Sequence, residues 1–255
     1  MGCCCSKDSA GDVDEKLMDH EKSIVMVTIP QTRPLQTETS WMIPATAVVA
    51  QCHRVTNGDS LIILGDQPIK LLGVDAPDVK GRQPFAAEAK AKCESLVPRG
   101  ATIWLDFEAN HTVDEAGRKQ CYVYVRPEGR AANQAQDEGV LVNYEMLREG
   151  FARFHPLPQS RLKHEGALTG AVAQARQESR GIWATFIPKE EVLVVVKTKE
   201  YHLNPTCSRI PFDAVASLKR INENKALDQG MFICPECGGM NSSLKGTSAS
   251  SPVPY

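Results

Sequence analysis

A mixed α+β fold, in which five short strands close a small barrel against packed helices and a smaller α/β module follows, is predicted by three observations. Runs of aliphatic and β-branched residues recur at short intervals between Ala47 and Val125, broken by turn pairs such as Asn57-Gly58 and Gly65-Asp66. Three segments carry apolar residues at helical spacing. A group of one histidine and three cysteines stands apart near the C-terminus. At 255 residues, 42% hydrophobic and 24% charged, the chain is long enough for one medium domain and one small one without disulfide staples.

The elements follow in chain order. Residues 1–22 open Met-Gly-Cys-Cys-Cys-Ser and continue polar and without periodicity, which reads as a flexible tether. Gly2 with Ser6 fits the myristoylation pattern, and Cys3, Cys4 and Cys5 are candidate palmitoylation sites. One acyl chain holds a protein to a bilayer marginally and two hold it stably, so the expected location is the cytoplasmic face of a membrane, the plasma membrane first. The longest apolar run, Val192 to Val196, is far too short to span a bilayer, and no apolar signal-peptide core is present, so neither a transmembrane helix nor secretion by that route is expected. Nine cysteines in clusters of different type favour a reducing compartment over a disulfide framework.

Residues 23–44 are expected to form a lead-in, with a strand over 23–30 and an irregular linker to Pro44. Strands are predicted over Ala47–Val55, Ser60–Leu64 and Ile69–Val74. A helix follows over Pro84–Leu96, where Phe85, Ala89, Cys93 and Leu96 share a face and Pro84 suits the first turn. Ala101–Phe107 and Gln120–Val125 supply two more strands, giving the five of an oligonucleotide-binding-type barrel. Helices over Val140–Glu149 and Arg161–Ser179 close the domain, taken as residues 45–186. Residues 190–241 form the small module, and 242–255, rich in serine, a loose tail.

With a formal net charge of −2, global attraction to nucleic acid is not evident, so phosphate recognition must be local. A local site is present in the motifs. Asp59 in Asn57-Gly58-Asp59-Ser60 and Asp75 in Lys70-Leu71-Leu72-Gly73-Val74-Asp75-Ala76-Pro77-Asp78 stand at strand ends beside turns, and Arg118 follows in Ala116-Gly117-Arg118. Acids that can hold a cation, together with fixed cations, are what a metal-assisted phosphodiesterase requires. The plainer reading of Asp59 and Asp75 taken singly is that each caps a turn.

From Ala47 to Ala184 the chain resembles the staphylococcal nuclease-like domain. The resemblance rests on those motifs, on Gln83-Pro84-Phe85, on Val142-Asn143 with Leu147 and Gly150, and on Gly181-Ile182-Trp183. It implies a calcium ion held by Asp59, Asp75 and the Ala76 carbonyl, with Lys70 and Arg118 as the cations facing the phosphate and Asp78 beside the attacking water. Two positions depart from the family, which has arginine at Lys70 and glutamate at Asp78. Lysine lacks the planar fork, and aspartate is one methylene short, so a lowered rate is expected. The family's tyrosine platform for the base is absent, leaving Phe154 and His155 as the nearby rings. Nucleic acid is the implied substrate, with single strands favoured by stacking. The alternative is an adaptor at the membrane that binds nucleic acid or protein without cleaving it.

In the C-terminal module His202 and Cys207 precede Cys234-Pro235-Glu236-Cys237, and four such ligands fill a zinc tetrahedron with no position left for water. The segment resembles small Ada-like metal-binding modules, which implies a structural zinc ion. A thiol-disulfide pair at Cys234 and Cys237, or free core cysteines, are the other readings.

Overall fold

In the computed structural model, which describes residues 40–109, 113–114, 116–126, 138–155 and 161–238, the first strand is Ser40–Met42 (β1). Val48–Asn57 (β2) and Ser60–Ile63 (β3) form a hairpin in which Asn57 pairs with Ser60, leaving Gly58 and Asp59 as the loop. Gln67–Leu71 (β4) continues the meander. The strand expected to run to Val74 stops at Leu71 because Gly73 turns the chain at φ 76°, and Val74–Asp75 (β5) leaves in a new direction.

Ala86–Leu96 (α1) buries Ala86, Ala89 and Cys93. It begins later than Pro84: Phe85 sits at φ 65°, outside the helical region, and packs its ring on the core. Gly58 lets α1 approach the β2–β3 loop, since a Cβ there would lie 2.7 Å from that of Ala89. Thr102–Asp106 (β6), Lys119–Val125 (β7) and Glu138–Leu141 (β8) follow.

Hydrogen-bonded neighbours run β2–β3–β4–β7–β6, and β6 pairs back onto β2, closing a five-stranded barrel in which β4 and β7 are parallel. Leu61, Ile69, Ile103, Cys121 and Val123 are wholly removed from solvent in its core. Each buried aliphatic of this size stabilises by about 1.5–3 kcal/mol. β8 adds to β7 outside the barrel, and β1 adds to β8, so the linker expected before Pro44 contributes an edge strand. Val140 and Leu141, inside the helix expected over Val140–Glu149, are ladder residues of β8, and the helix is Val142–Arg148 (α2).

Asn143 fixes α2 to the barrel: its amide nitrogen donates to the carbonyls of Leu72 (2.9 Å) and Cys121 (3.2 Å), and its oxygen accepts from the Val123 amide (2.9 Å). Arg153–Phe154 (β9) pairs with β5, setting Arg153 opposite Asp75. Glu165–Gln177 (α3) then buries Leu168, Ala171 and Ala175. The turn after α3 crosses the end of α2 at Gly150, where the Ile182 amide donates to the Gly150 carbonyl at 2.9 Å. A Cβ on Gly150 would meet the Arg180 carbonyl oxygen at 2.2 Å, so only glycine fits.

The C-terminal module is a four-stranded sheet of Val192–Val195 (β10), Glu200–His202 (β11), Lys219–Ile221 (β12) and Phe232–Ile233 (β13), in the order β12-β10-β11-β13. Glu223–Asp228 (α4) packs on it, and Pro235–Gly238 (α5) ends the described chain. Leu227 of α4 joins this sheet's core to that of the barrel. Among the described residues no helix is long and apolar enough to cross a membrane. The acylation signal at Gly2, Cys3, Cys4 and Cys5, the strand expected over 23–30 and the C-terminal tail lie outside the described residues.

Candidate active site and metal centre

The β2–β3 hairpin loop carries Asp59 into the protein, where it is 1% exposed. A buried carboxylate is costly unless matched by donors, and here the matching is complete. Its Oδ2 accepts from the Lys70 ammonium and from the Ala76 amide (2.9 Å), and its Oδ1 from the Ser60 hydroxyl (2.8 Å) and, at 3.4 Å, the Asn57 amide. Burial alone pushes the Asp59 carboxyl up, but Lys70, with the Ala76 and Ser60 hydrogen bonds, outweighs it and holds the group below its ordinary range. Lys70 reaches it because Ser60 and Lys70 are partners across the β3–β4 ladder.

Ser60 connects this pair to the second cation: its hydroxyl accepts from Arg118 Nη1 at 2.9 Å while donating to Asp59. Arg118 is held by Asp114, whose Oδ1 accepts from the Arg118 and Ala116 amides (2.8 and 3.0 Å) and whose Oδ2 accepts from Arg118 Nε at 2.7 Å. One line therefore runs Asp114, Arg118, Ser60, Asp59, Lys70.

Asp78 belongs to the same neighbourhood through its turn. Its carboxylate accepts from the amides of Lys80 (3.3 Å) and Gly81 (2.9 Å), Gln83 Oε1 accepts from its amide (2.8 Å), and Asn57 Oδ1 accepts from the Val79 amide (3.3 Å). Asn57 thus bridges the Asp78 turn to Asp59. Asp75 is half-buried in β5, and Ala76, directly after it, is anchored to Asp59 by its amide.

The rings expected near the base position are taken up by packing. His155 meets Phe232 of β13 edge to face, with centroids 5.5 Å apart, and Phe154 packs on the main core. Between them lies a cavity of about 50 Å³, lined by Asp75, Arg153, His155, Trp183, Tyr201 and Phe232. It has room for a few waters and none for a nucleobase. Burial, together with Lys70, lowers His155 to about 4, with Glu200 opposing and Arg209 adding to the shift.

In the module, the ligand atoms of His202, Cys207, Cys234 and Cys237 lie within 4.8 Å of one another. Among the described residues this is the grouping of three or more His, Cys, Asp or Glu ligands so arranged, and Asp59, Asp75 and Asp78 do not form one. Cys207 Sγ and Cys234 Sγ are 3.8 Å apart, and Cys237 Sγ and His202 Nδ1 are 3.7 Å apart. Bonds of ~2.1–2.3 Å around a tetrahedral ion give edges of about 3.6–3.8 Å, whereas a disulfide needs about 2.05 Å. Both separations match tetrahedral edges rather than a disulfide, and none of the described cysteines is in a disulfide. Burial pushes the Cys234 thiol up to about 12 and raises Cys207 as well. His202 is wholly buried, and its Nε2 has no hydrogen-bond partner, the Glu200 carboxylate standing off at 3.8 Å. Ser208 Oγ donates to Glu236 Oε2 at 2.7 Å, joining the Cys207 turn to α5.

Ser60, Asp114, Asn57 and Gln83 were not singled out for a role from sequence. The signal was available for two of them, because Ser60 adjoins Asp59 and Asp114 lies four residues before Arg118 in a turn. Residues 68–185 match the model of the family described as staphylococcal nuclease homologue. Together with the closed five-stranded barrel, this match supports a staphylococcal nuclease-like domain. The match covers Lys70, Asp75, Ala76, Asp78 and Arg118; Asp59 and the His/Cys cluster lie outside it.

Proposed function

We propose that this staphylococcal nuclease-like domain hydrolyses phosphodiester bonds of DNA or RNA, single strands preferred, in a calcium-dependent reaction at the Asp59 cluster. The observation that carries the reading is the hydrogen-bonded line from Arg118 through Ser60 and Asp59 to Lys70, which gathers two cations around one buried carboxylate. A simple turn cap has no need of them.

The donors Asp59, Asp75 and the Ala76 carbonyl are hard oxygens, whose chemistry suits calcium or magnesium, and the Lys70 ammonium is a positive charge already accommodated beside Asp59. A bound divalent ion there supplies charge neutralisation to the phosphate and an acidified water. The chain supplies the rest. Arg118, its fork pre-oriented by Asp114, stabilises the charge that develops on the phosphoryl oxygens. Asp78, set in its turn by Lys80 and Gly81, orients the water and accepts its proton. Lys70 provides the second positive charge as a point rather than a fork, which keeps the rate low. Two carboxylates and one carbonyl bind calcium weakly, so the enzyme is idle until calcium rises.

His202, Cys207, Cys234 and Cys237 hold a structural zinc ion, as in Ada-like modules, and acylation of Gly2 with Cys3, Cys4 or Cys5 tethers the chain to the cytoplasmic face of a membrane. A non-cleaving adaptor is the second reading, favoured by one observation: the Lys70 ammonium is engaged with Asp59.

Cleavage of fluorescent single-stranded and duplex DNA and RNA, with calcium, magnesium or chelator, tests the proposal. Calcium-dependent cleavage that disappears in Arg118→Ala supports it. Nucleic-acid binding without turnover in calcium establishes the adaptor.

A further inference from the structure

We infer that Lys70 is the resident counter-ion of the metal site: its ammonium neutralises Asp59 in the resting protein and is displaced when a divalent ion binds, so that metal uptake releases the cation that then faces the phosphate. The inference rests on the reading of Asp59 as a metal ligand.

Asp59 has about four acceptor positions on its two oxygens, and four protein donors meet them: Lys70, the Ala76 amide, Ser60 and, most loosely, Asn57. An ion that ligates Asp59 must take the place of one of these. The Ala76 amide is part of the backbone, and Ser60 is fixed between Asp59 and Arg118. Lys70 differs in two respects. It stands on a flexible four-carbon stem, and it alone of the four carries a charge, so exchanging it for a cation leaves the buried carboxylate neutralised. Its side chain is about one-tenth exposed, which leaves the ammonium a route outward without unfolding β4.

The exchange has a functional consequence. While Lys70 is paired with Asp59 its charge is spent on that carboxylate rather than on a phosphate, and it occupies a position that a metal would need. Metal arrival opens both conditions together. Affinity for the ion is then the difference between two ion pairs, and removing the ammonium should tighten it.

The test uses the full-length protein and Lys70→Gln, with calcium binding followed by titration calorimetry and unfolding followed by thermal melts in chelator and in saturating calcium. Lys70→Gln is expected to bind calcium at least about fivefold more tightly than the native chain, the lower end of the usual range for coupled sites. It should melt below the native protein in chelator and regain most of that difference in calcium. If Lys70→Gln does not fold in chelator, calcium must rescue it. Equal calcium affinity in the two proteins, or a melting deficit that calcium does not reduce, overturns the inference and leaves the proposed function standing. A folded native protein that takes up no calcium overturns the metal reading itself.

Discussion

The barrel cluster around Asp59 and the thiol and imidazole cluster of the C-terminal module are both candidate metal sites, yet they are built on opposite terms. At Asp59 the protein supplies its own complement: a charged oxygen group, a charged nitrogen group and neutral donors match one another. At His202 it does not. Three sulfurs and a ring lie within 4.8 Å of one another, two of the contacts at 3.7 and 3.8 Å, where thiols make weak hydrogen bonds, and the other ring nitrogen has no partner among the described residues. Hard, charged ligands can be neutralised by a side chain, whereas soft ligands gathered edge to edge have no amino-acid counterpart that would fill their centre. The difference predicts that the barrel stays folded without a bound ion and that the module does not.

The largest effect that would break this contrast is on the module. Cys234→Ser, or strong chelation, is expected to abolish hydrogen-exchange protection of β11 and β13 while the barrel strands keep theirs, because structural zinc binding is worth about 10–16 kcal/mol in small domains. Equal loss in both regions, or in neither, would remove the distinction. Next is the barrel's fixed cation: Arg118→Ala should lower kcat by about 100- to 1000-fold with little change in nucleic-acid affinity, the scale for losing one transition-state donor. Parallel losses in kcat and affinity would instead make Arg118 a binding residue.

A smaller effect sharpens the claim that the barrel cluster is pre-organised by its own hydrogen bonds. Asp114→Ala leaves Arg118 in place but frees its guanidinium, and about tenfold in kcat is expected from lost orientation, with the fold retained. Activity equal to the native protein's would show that the line from Asp114 to Lys70 is structural.

The smallest effect concerns the seam between the two regions. His155, held near 4 against Phe232, is neutral in the folded protein and titrates near 6.5 when unfolded. Its contribution to stability is complete above about pH 6.5 and is lost as pH falls toward 4, because protons then bind the unfolded chain first. Between pH 7 and pH 5 this should cost about 2 kcal/mol. His155→Phe should remove that part of the pH dependence in denaturant melts; an unchanged slope would place the titration elsewhere.

The legibility of these features in sequence followed their range. The barrel strands were readable because alternation and turn residues such as Asn57-Gly58 act locally, and the Cys-x-x-Cys spacing spans one helical turn. Edge strand β1 was not readable, since Ser40–Met42 is a strand only because β8, nearly a hundred residues later, offers it a ladder. Pairing with β7 likewise made strand of Val140 and Leu141, which lie inside the helix expected over Val140–Glu149. Phe154 reads in sequence as core sooner than platform, and it packs on the core; His155 reads equally as a loop residue or a stacking ring, and Phe232 of β13 takes it up.

What the sequence determined by itself is the inventory: which acids, cations, thiols and rings are present, the turns that hold them, and the barrel that these short strands form. Only the tertiary structure decided their partners. It set Lys70 on Asp59, placed Ser60 between that pair and Arg118, covered His155 with Phe232, and brought His202 and Cys207 to Cys234 and Cys237. The reason is physical: a local pattern fixes backbone conformation over a few residues, but the partner of a buried charge is chosen by which strands pair, and that choice depends on contacts distant in the chain.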